Sequence, residues 1–401
     1  MRRLASPPPP TGTFSPEAVP VGYKTYTCPV GRSCGGCEWL NVPYPIQLER
    51  KHAELERLFE GFGAPVEAVV GMETPLHYRA KIASPFVFGE GGTPRFGMYA
   101  RGTHEVIEAP SCLVEYEEGR PILESVAELC RRFRIEPYDE DTGRGLLRHA
   151  VVRVSRATRE AMVTLVVNRK EFPRKKAFVA ALRERHPSIS TVVFNVNTRQ
   201  TNAILGPLFM TAYGQGWIED RVCGCTFRIP AGAFYQTNPE QTEALYRTAV
   251  EQARLHEGER VLDAYCGVGA IGVIAARRSK ASLVGVESVE DAIRVARENA
   301  RANRVEGARF VAGDAGEMLA EEGEGFDAVF LDPPRASASE QFLDALLAAS
   351  PQRIVYVSCN PETQVRDVRK LSAAYALERV TPVDMFPHTK HIETVATLSR
   401  R

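Results

Sequence analysis

Residues 258–272, Gly-Glu-Arg-Val-Leu-Asp-Ala-Tyr-Cys-Gly-Val-Gly-Ala-Ile-Gly, restrict what this chain can fold into more than any other stretch. An apolar, β-branched run breaks at Gly267, Gly269 and Gly272 and then resumes as apolar residues, which reads as a strand, a tight turn and a helix start. Glycine lets the backbone turn sharply and approach a ligand, so an open α/β sheet is expected, with ligands at the carboxyl ends of its strands. The next strand, Leu283-Val-Gly-Val, leads to Glu287, a carboxylate placed to accept hydrogen bonds from a ribose diol. A nicotinamide dinucleotide and S-adenosylmethionine both fit that far. Asp263, just ahead of the turn, favours the sulfonium donor, whose amino-acid end is met by carboxylate and backbone and brings no pyrophosphate to a helix N-terminus.

Three later strand ends carry chemistry. Phe326-Asp-Ala-Val-Phe-Leu runs into Asp332-Pro333-Pro334-Arg335, where two prolines fix a rigid polar corner suited to a planar base edge or to the donor; the alternative is a plain loop with an exposed Asp. Ile354-Val-Tyr-Val-Ser-Cys-Asn-Pro puts Cys359 at a strand lip, and a cysteine there is either an inert packing residue or a nucleophile. Residues 376–384 and 393–399 read as an antiparallel pair across a loop holding Phe386-Pro387-His388, with Glu393 opening the last strand. If that hairpin edges the sheet, Glu393, Asp332 and Cys359 face one pocket.

The N-terminal half is written differently. Cys28, Cys34 and Cys37 are spaced C-x5-C-x2-C with glycines between them, and a lone Cys112 lies further on. Such a loop folds back so that several thiolates face one centre, and zinc and an iron–sulfur cluster suit them equally. Cys130, Cys223, Cys225 and Cys266 read as packing residues, with Cys223 and Cys225 on one face of a strand. A helix is expected over 45–62, free to pack on the C-terminal domain. Alternating runs at 149–155, 161–167 and 191–197, interrupted by a helix at 176–185, predict a β-rich α+β domain. The domains expected are a disordered Pro-rich tail over 1–27, this β-rich domain over 28–232, and the open α/β domain over 233–401.

Fifty basic and fifty acidic residues cancel, so nucleic acid is not held by bulk charge. Residues 144–185 nonetheless carry twelve Lys or Arg against three Glu, either a face for a phosphate backbone or a solvated one. No apolar run is long enough to cross a bilayer and residues 1–20 lack the apolar core of a signal peptide, which predicts a cytoplasmic protein.

Taken together, Phe234-Tyr235-Gln236-Thr237-Asn238, Asp263-Ala-Tyr-Cys-Gly-Val-Gly, Asp332-Pro-Pro-Arg, Ser358-Cys-Asn-Pro and His391-Ile-Glu393-Thr resemble the RNA uridine-C5 methyltransferase family, in family order. The cysteine loop with Cys112 resembles the [4Fe-4S] site of its 23S rRNA branch, in the shorter form without an N-terminal β-barrel. The resemblance implies a Rossmann-like class I methyltransferase domain C-terminal to a β-rich domain carrying an iron–sulfur cluster on Cys28, Cys34, Cys37 and Cys112. It also implies that Gln236, Tyr265, Gly267, Gly269, Glu287, Asp314 and Asp332 bind or frame S-adenosylmethionine. Cys359 would be the nucleophile, Glu393 the base and Asp332 a positioning group. Ala270 stands where members often carry Asn, so one donor contact is lost or replaced.

The implied substrate is a uridine of 23S rRNA, with the uridine-54 position of tRNA as the alternative; no obligate protein partner is implied. An RNA cytosine-C5 methyltransferase would resemble its kin in placing a cysteine directly after the proline turn, where Arg335 stands. A non-catalytic metal-containing RNA-binding protein would bind no donor, and a dehydrogenase explains neither proline motif.

Overall fold

The computed structural model describes residues 24–401 except Glu324, so the tail expected over 1–27 lies outside the described residues up to residue 23. Its elements in chain order are α1 (Tyr44–Phe59), β1 (Lys81–Phe88), β2 (Pro94–Phe96), β3 (Met98–Tyr99), β4 (Val106–Ile107), α2 (Gly119–Phe133), β5 (Leu147–Val154), β6 (Ala161–Val167), α3 (Lys175–Arg185), β7 (Ile189–Val196), β8 (Leu208–Tyr213), β9 (Trp217–Val222) and β10 (Cys225–Pro230). The second half adds α4 (Pro239–Gln252), β11 (Arg260–Ala264), α5 (Ala270–Ser279), β12 (Ser282–Glu287), α6 (Glu290–Ala302), β13 (Arg309–Ala312), α7 (Ala315–Glu322), β14 (Ala328–Leu331), α8 (Glu340–Ala349), β15 (Arg353–Ser358), α9 (Pro361–Leu371), β16 (Tyr375–Val383) and β17 (Glu393–Arg400).

The first sheet has six strands in the order β2-β1-β5-β6-β7-β8 and is antiparallel except where α3 carries β6 across to a parallel β7. β5 and β6 are buried along their whole length; β6 is a nearly continuous apolar run, whereas β5 also buries Arg148, His149 and Arg153. One face is covered by α2 and α3 through Leu123, Val126, Leu129, Phe178 and Leu182. The basic run over 144–185 does not form one open face. Arg148 and Arg153 are buried, Arg156 and Arg185 pair with Glu243 and Glu128, and Arg183 stacks 3.4 Å from the Tyr213 ring centroid.

The second sheet has seven strands in the order β13-β12-β11-β14-β15-β17-β16, the first five parallel and β17 antiparallel between β15 and β16. Helices cover both faces and bury two apolar layers. Each parallel strand returns through a helix, and each strand's carboxyl end is turned to the same edge.

Two pieces of the N-terminal half join this layer. Leu55 and Phe59 of α1 sit in the same apolar cluster as Tyr356 and Leu398. Residues 65–70 pair parallel with β16 at Val66–Val380 and Val70–Val383, covering what would be an exposed edge. The β9–β10 hairpin, expected with the first domain, also packs here: Asn299 on α6 and Asn303 at its C-terminal cap, one turn apart, each use their side-chain oxygen and nitrogen on the N–H and C=O of Arg228 and Thr226 respectively. Helical residues at i and i+4 thus stand in for a neighbouring strand along β10. Cys223 is not on a strand face as expected. It occupies the hairpin turn at φ 49°, and Cys225 alone faces the core.

A buried ion pair pins α1 to the loop after β16. Lys51 Nζ lies 2.6 Å from Asp384 Oδ1, Tyr44 donates to Asp384 Oδ2 at 2.8 Å, and both charged side chains are essentially unexposed. Removing one partner of such a pair leaves a buried charge, so Asp384→Ala should cost roughly 3–5 kcal/mol in urea unfolding, whereas Lys51→Met with Asp384→Leu should come close to wild type. An unshifted urea midpoint in the single variant would show that the pair anchors nothing.

Candidate active site

Strand register brings the three predicted reactive residues to one place. Ser358 pairs with Thr394 across β15 and β17, so the next step of the antiparallel ladder sets Cys359 opposite Glu393. Leu331 pairs with Tyr356, which puts Asp332 at the same edge one strand away. Cys359 sits between the strand end and α9, whose start is fixed by Pro361; Ser358 Oγ closes the turn onto Asn360 N and O, both at 3.1 Å. Thr394 Oγ1 donates to Gln364 Oε1 at 2.7 Å, and Gln364 Nε2 donates to Tyr356 O at 2.8 Å, stapling α9 to both strands beneath the cysteine.

The site is rich in acids and poor in cations. Glu393 is 3% exposed, and burial together with Asp332 holds its carboxyl well above the ordinary range. Burial pushes Asp332 up to about 7. Asp263 also rises to about 7 through burial, against the Gly272 N–H it accepts at 2.8 Å and reinforced by Asp332 and Glu287. Burial, then Glu393 and Asp332, push the Cys359 thiol up to about 11, with Arg335 opposing. Three buried carboxyls converge here against one cation that acts on the thiol, Arg335, so a ligand that brings positive charge suits the site.

The glycine turn supplies the rest of that cradle. Tyr265, Gly267 and Gly269 all have left-handed backbone, at φ 62°, 53° and 81°, and a non-glycine residue held there is a strained conformation that functional turns retain. Gly272 cannot be replaced cheaply, because a Cβ would stand 2.7 Å from Asp263 Oδ2. Glu287 accepts from Gly267 N at 3.2 Å and from Val289 N at 2.9 Å, leaving its rim position facing out beside the exposed Val289. Gln236 is buried in the segment before α4. Asp314 has a local duty as well: its Oδ1 caps α7 by accepting from Gly316 N and Glu317 N, which leaves Oδ2 for a ligand. Asn238 of the Phe-Tyr-Gln-Thr-Asn motif is structural, capping α4 and donating to Met385 O at 3.0 Å. Sequence reasoning missed Tyr246, a buried α4 residue within electrostatic reach of Asp332, Asp263 and Glu393. Its only signal was its position on the buried face of α4.

The four cysteines of the N-terminal loop come together as well. Cys28, Cys34, Cys37 and Cys112 line one cavity with Arg79, although among the described residues no three His, Cys, Asp or Glu close around a single metal ion. Burial pushes Cys37 up to about 12; Arg79 opposes this, and Cys112, Cys34 and Cys28 add to it. Burial raises Cys112 as well, and four thiols gathered in one cavity fit a group that brings positive charge to thiolate. The loop is tied to the catalytic sheet through His388. His388 O accepts from Glu38 N and Trp39 N at 2.9 Å, and its ring bridges Gln47 Nε2 and Pro75 O. Pro75 O can only accept, so Nε2 carries the proton and Nδ1 accepts from Gln47; burial keeps the ring neutral.

A parallel sheet with β17 inserted antiparallel, and a glycine turn rimmed by carboxylates, define an S-adenosylmethionine-dependent methyltransferase fold. The chain belongs to the RNA uracil-C5 methyltransferase family: a family model described as tRNA (Uracil-5-)-methyltransferase matches residues 43–401. It is 38% identical over 383 residues to an uncharacterized RNA methyltransferase of Bacillus cereus, covering 94% of this chain and 83% of the relative. Against an uncharacterized RNA methyltransferase of Staphylococcus aureus the identity is 39% over 370 residues, with 90% and 82% covered. The crystal structure of Pyrococcus abyssi tRNA (uracil-54, C5)-methyltransferase in complex with S-adenosyl-L-homocysteine matches with a TM-score of 0.76 at 31% identity, covering 91% of this chain and 86% of that one. No helix among the described residues is long and apolar enough to cross a membrane.

Proposed function

We propose that the protein methylates C5 of a specific uridine in 23S rRNA, with Cys359 as nucleophile and Glu393 as base. The observation that carries the chemistry is the register of β15 on β17, which sets a thiol and a buried carboxyl side by side. Uracil C5 is too weak a nucleophile unaided. Addition of the Cys359 thiolate at C6 turns C5–C4=O into an enolate, and C5 then accepts the methyl group. Bound S-adenosylmethionine supplies that group as an electrophilic sulfonium methyl. C5 next carries both methyl and hydrogen, and Glu393 takes the proton so that the C6–S bond breaks and the thiol is released. Asp332, at the end of the strand next to that of Cys359 and acting electrostatically on both groups, positions the base. Gln236, Tyr265, Gly267, Gly269, Glu287, Asp314 and Asp332 frame the donor. The uridine must leave its stack to reach a strand lip, and Phe234, 71% exposed two residues before Gln236, offers a face for a neighbouring base.

Cys28, Cys34, Cys37 and Cys112 hold a [4Fe-4S] cluster in this reading, within a β-rich RNA-binding domain over 28–232 that precedes a catalytic domain over 233–401, in a cytoplasmic enzyme. The cavity that gathers all four cysteines supports the cluster, and with it the rRNA branch that the cysteine loop resembles. Likeness to the archaeal tRNA (uracil-54, C5)-methyltransferase supports a second reading, in which the same chemistry acts on tRNA. Cys34→Ala protein should lose the brown chromophore and bind RNA poorly, because the loop it closes pairs with Ala100 and reaches His388. Unaltered RNA affinity in a stable, cluster-free variant would remove the cluster from RNA binding.

The function is tested anaerobically with labelled S-adenosylmethionine and unmodified 23S rRNA and tRNA offered separately, the product mapped by nuclease digestion and mass spectrometry. Label on a uridine C5 of 23S rRNA is the expected result. Label in tRNA keeps the chemistry and changes the substrate, and label on cytosine overturns the uracil reading.

A further inference from the structure

Arg153 is 4% exposed and has no carboxylate partner among the described residues. Its guanidinium donates only to carbonyls, Tyr235 O at 3.3 Å and Ala233 O at 3.5 Å. Directly across the ladder, as its Cα partner on β1, stands Lys81, half-buried and given neither a hydrogen bond nor an ion pair among the described residues. Other arginines of the same domain are treated differently: Arg120, Arg148, Arg156 and Arg159 each sit on a glutamate. The acid nearest in effect is Asp220, whose Oδ1 is already taken by Ser155 Oγ, Ala157 N and Arg221 N. Burial and then Arg153 press on the Lys81 ammonium, bringing it down to about 8. Like charges set opposite each other on adjacent strands destabilise a sheet, and buried cations are ordinarily paired, so this pair lacks an anion.

Its place in the fold says which anion. Ala80 N donates to Thr237 O at 2.8 Å, so Lys81 stands one residue from the segment 233–238 that delivers Gln236 and leaves Phe234 exposed. We propose that Lys81 and Arg153 seat a phosphodiester of the RNA strand beside the flipped uridine. The inference rests on the RNA uracil methyltransferase reading. A base that swings out of its stack turns about its flanking phosphates, and fixing one of them sets where the base arrives. Arg153, held by two carbonyls, is the rigid half of the seat, and Lys81 is the half free to reach the oxygen.

The test is Lys81→Met, with Lys81→Arg as the conservative control, in the full cluster-loaded protein. Removing the repulsion should leave thermal unfolding at or above the wild-type midpoint. Filter-binding titrations with 23S rRNA and tRNA transcripts over a range of KCl concentrations should show roughly tenfold weaker binding of the preferred RNA. The slope of log affinity against log[KCl] should be flatter by about 0.7–0.9, one phosphate contact. S-adenosylmethionine affinity should be unchanged and Lys81→Arg should restore both RNA readouts. A folded Lys81→Met protein with wild-type RNA affinity and slope overturns the seat alone. Weakened donor binding overturns it in favour of the donor's carboxylate, and a wild-type protein that binds neither RNA overturns the seat and the RNA reading together.

Discussion

Cys359→Ala should fold, bind the methyl donor and RNA, and methylate nothing, a loss of at least about 10⁴-fold in single-turnover rate, because among the described residues no other half-exposed thiol stands at a strand lip to make C5 nucleophilic. Cys266, the next cysteine in the catalytic domain, is buried behind the glycine turn with its thiol held well above the ordinary range by burial. The same residue gives a pH signature. Free protein keeps Cys359 as a thiol until about pH 11, since burial and the two carboxyls disfavour a third negative charge. A sulfonium in the cradle adds positive charge and must lower that value, whereas S-adenosylhomocysteine, whose sulfur is neutral, should move it little. Iodoacetamide labelling of Cys359, followed by peptide mass spectrometry across pH, should therefore shift to lower pH with S-adenosylmethionine and stay put with S-adenosylhomocysteine. Equal shifts with both would trace the effect to packing instead, and residual methylation by Cys359→Ala would remove it as the nucleophile.

The parts of this arrangement legible in the sequence were those whose chemistry is local. Glycines that must be left-handed, an aspartate fixed before prolines and a cysteine ending an apolar strand each announce themselves over a few residues, and the open α/β sheet follows from them. What was hidden depends on non-local pairing. The unforeseen helix α2 carries Ile122, Leu123, Val126, Leu129 and Cys130 at helical spacing, but it lies in a stretch where alternating strands set the expectation. The sequence allowed α1 to pack on the C-terminal domain, but that residues 65–70 extend its sheet, and that Lys51 and Tyr44 anchor on Asp384 more than three hundred residues away, emerges only in the fold. The basic run over 144–185 looked like a surface because charge is counted along the chain, whereas burial decides by strand face; Arg148 and Arg153 are inside. Asp314, a donor-site candidate, and Asn238, a motif residue, show the converse, since the position of each also follows from capping a helix.

Glu393→Gln should complete methyl transfer and then stop, accumulating an enzyme–RNA adduct that survives denaturing electrophoresis, while released product falls by roughly 10²–10⁴-fold. The glutamine keeps the shape of the site but cannot accept the C5 proton, and without that step the C6–S bond has no electron pair to expel it. The sign of the pH dependence separates this role from a structural one. Burial and Asp332 hold Glu393 in its neutral form well above the usual carboxylate pH, and a base must be ionised to act, so release in wild type should speed up as pH rises through that raised value. Glu393→Gln has no such group, and its slow release should not follow that rise. Asp332→Asn separates the pair: with the neighbouring negative charge gone, the Glu393 carboxyl should ionise more easily and the release profile should move to lower pH, even if binding of the base suffers. Failure of Glu393→Gln to trap RNA while methylation continues would take the proton to another acceptor, and Asp332, the nearest other carboxyl at the edge of the sheet, would be the first to test.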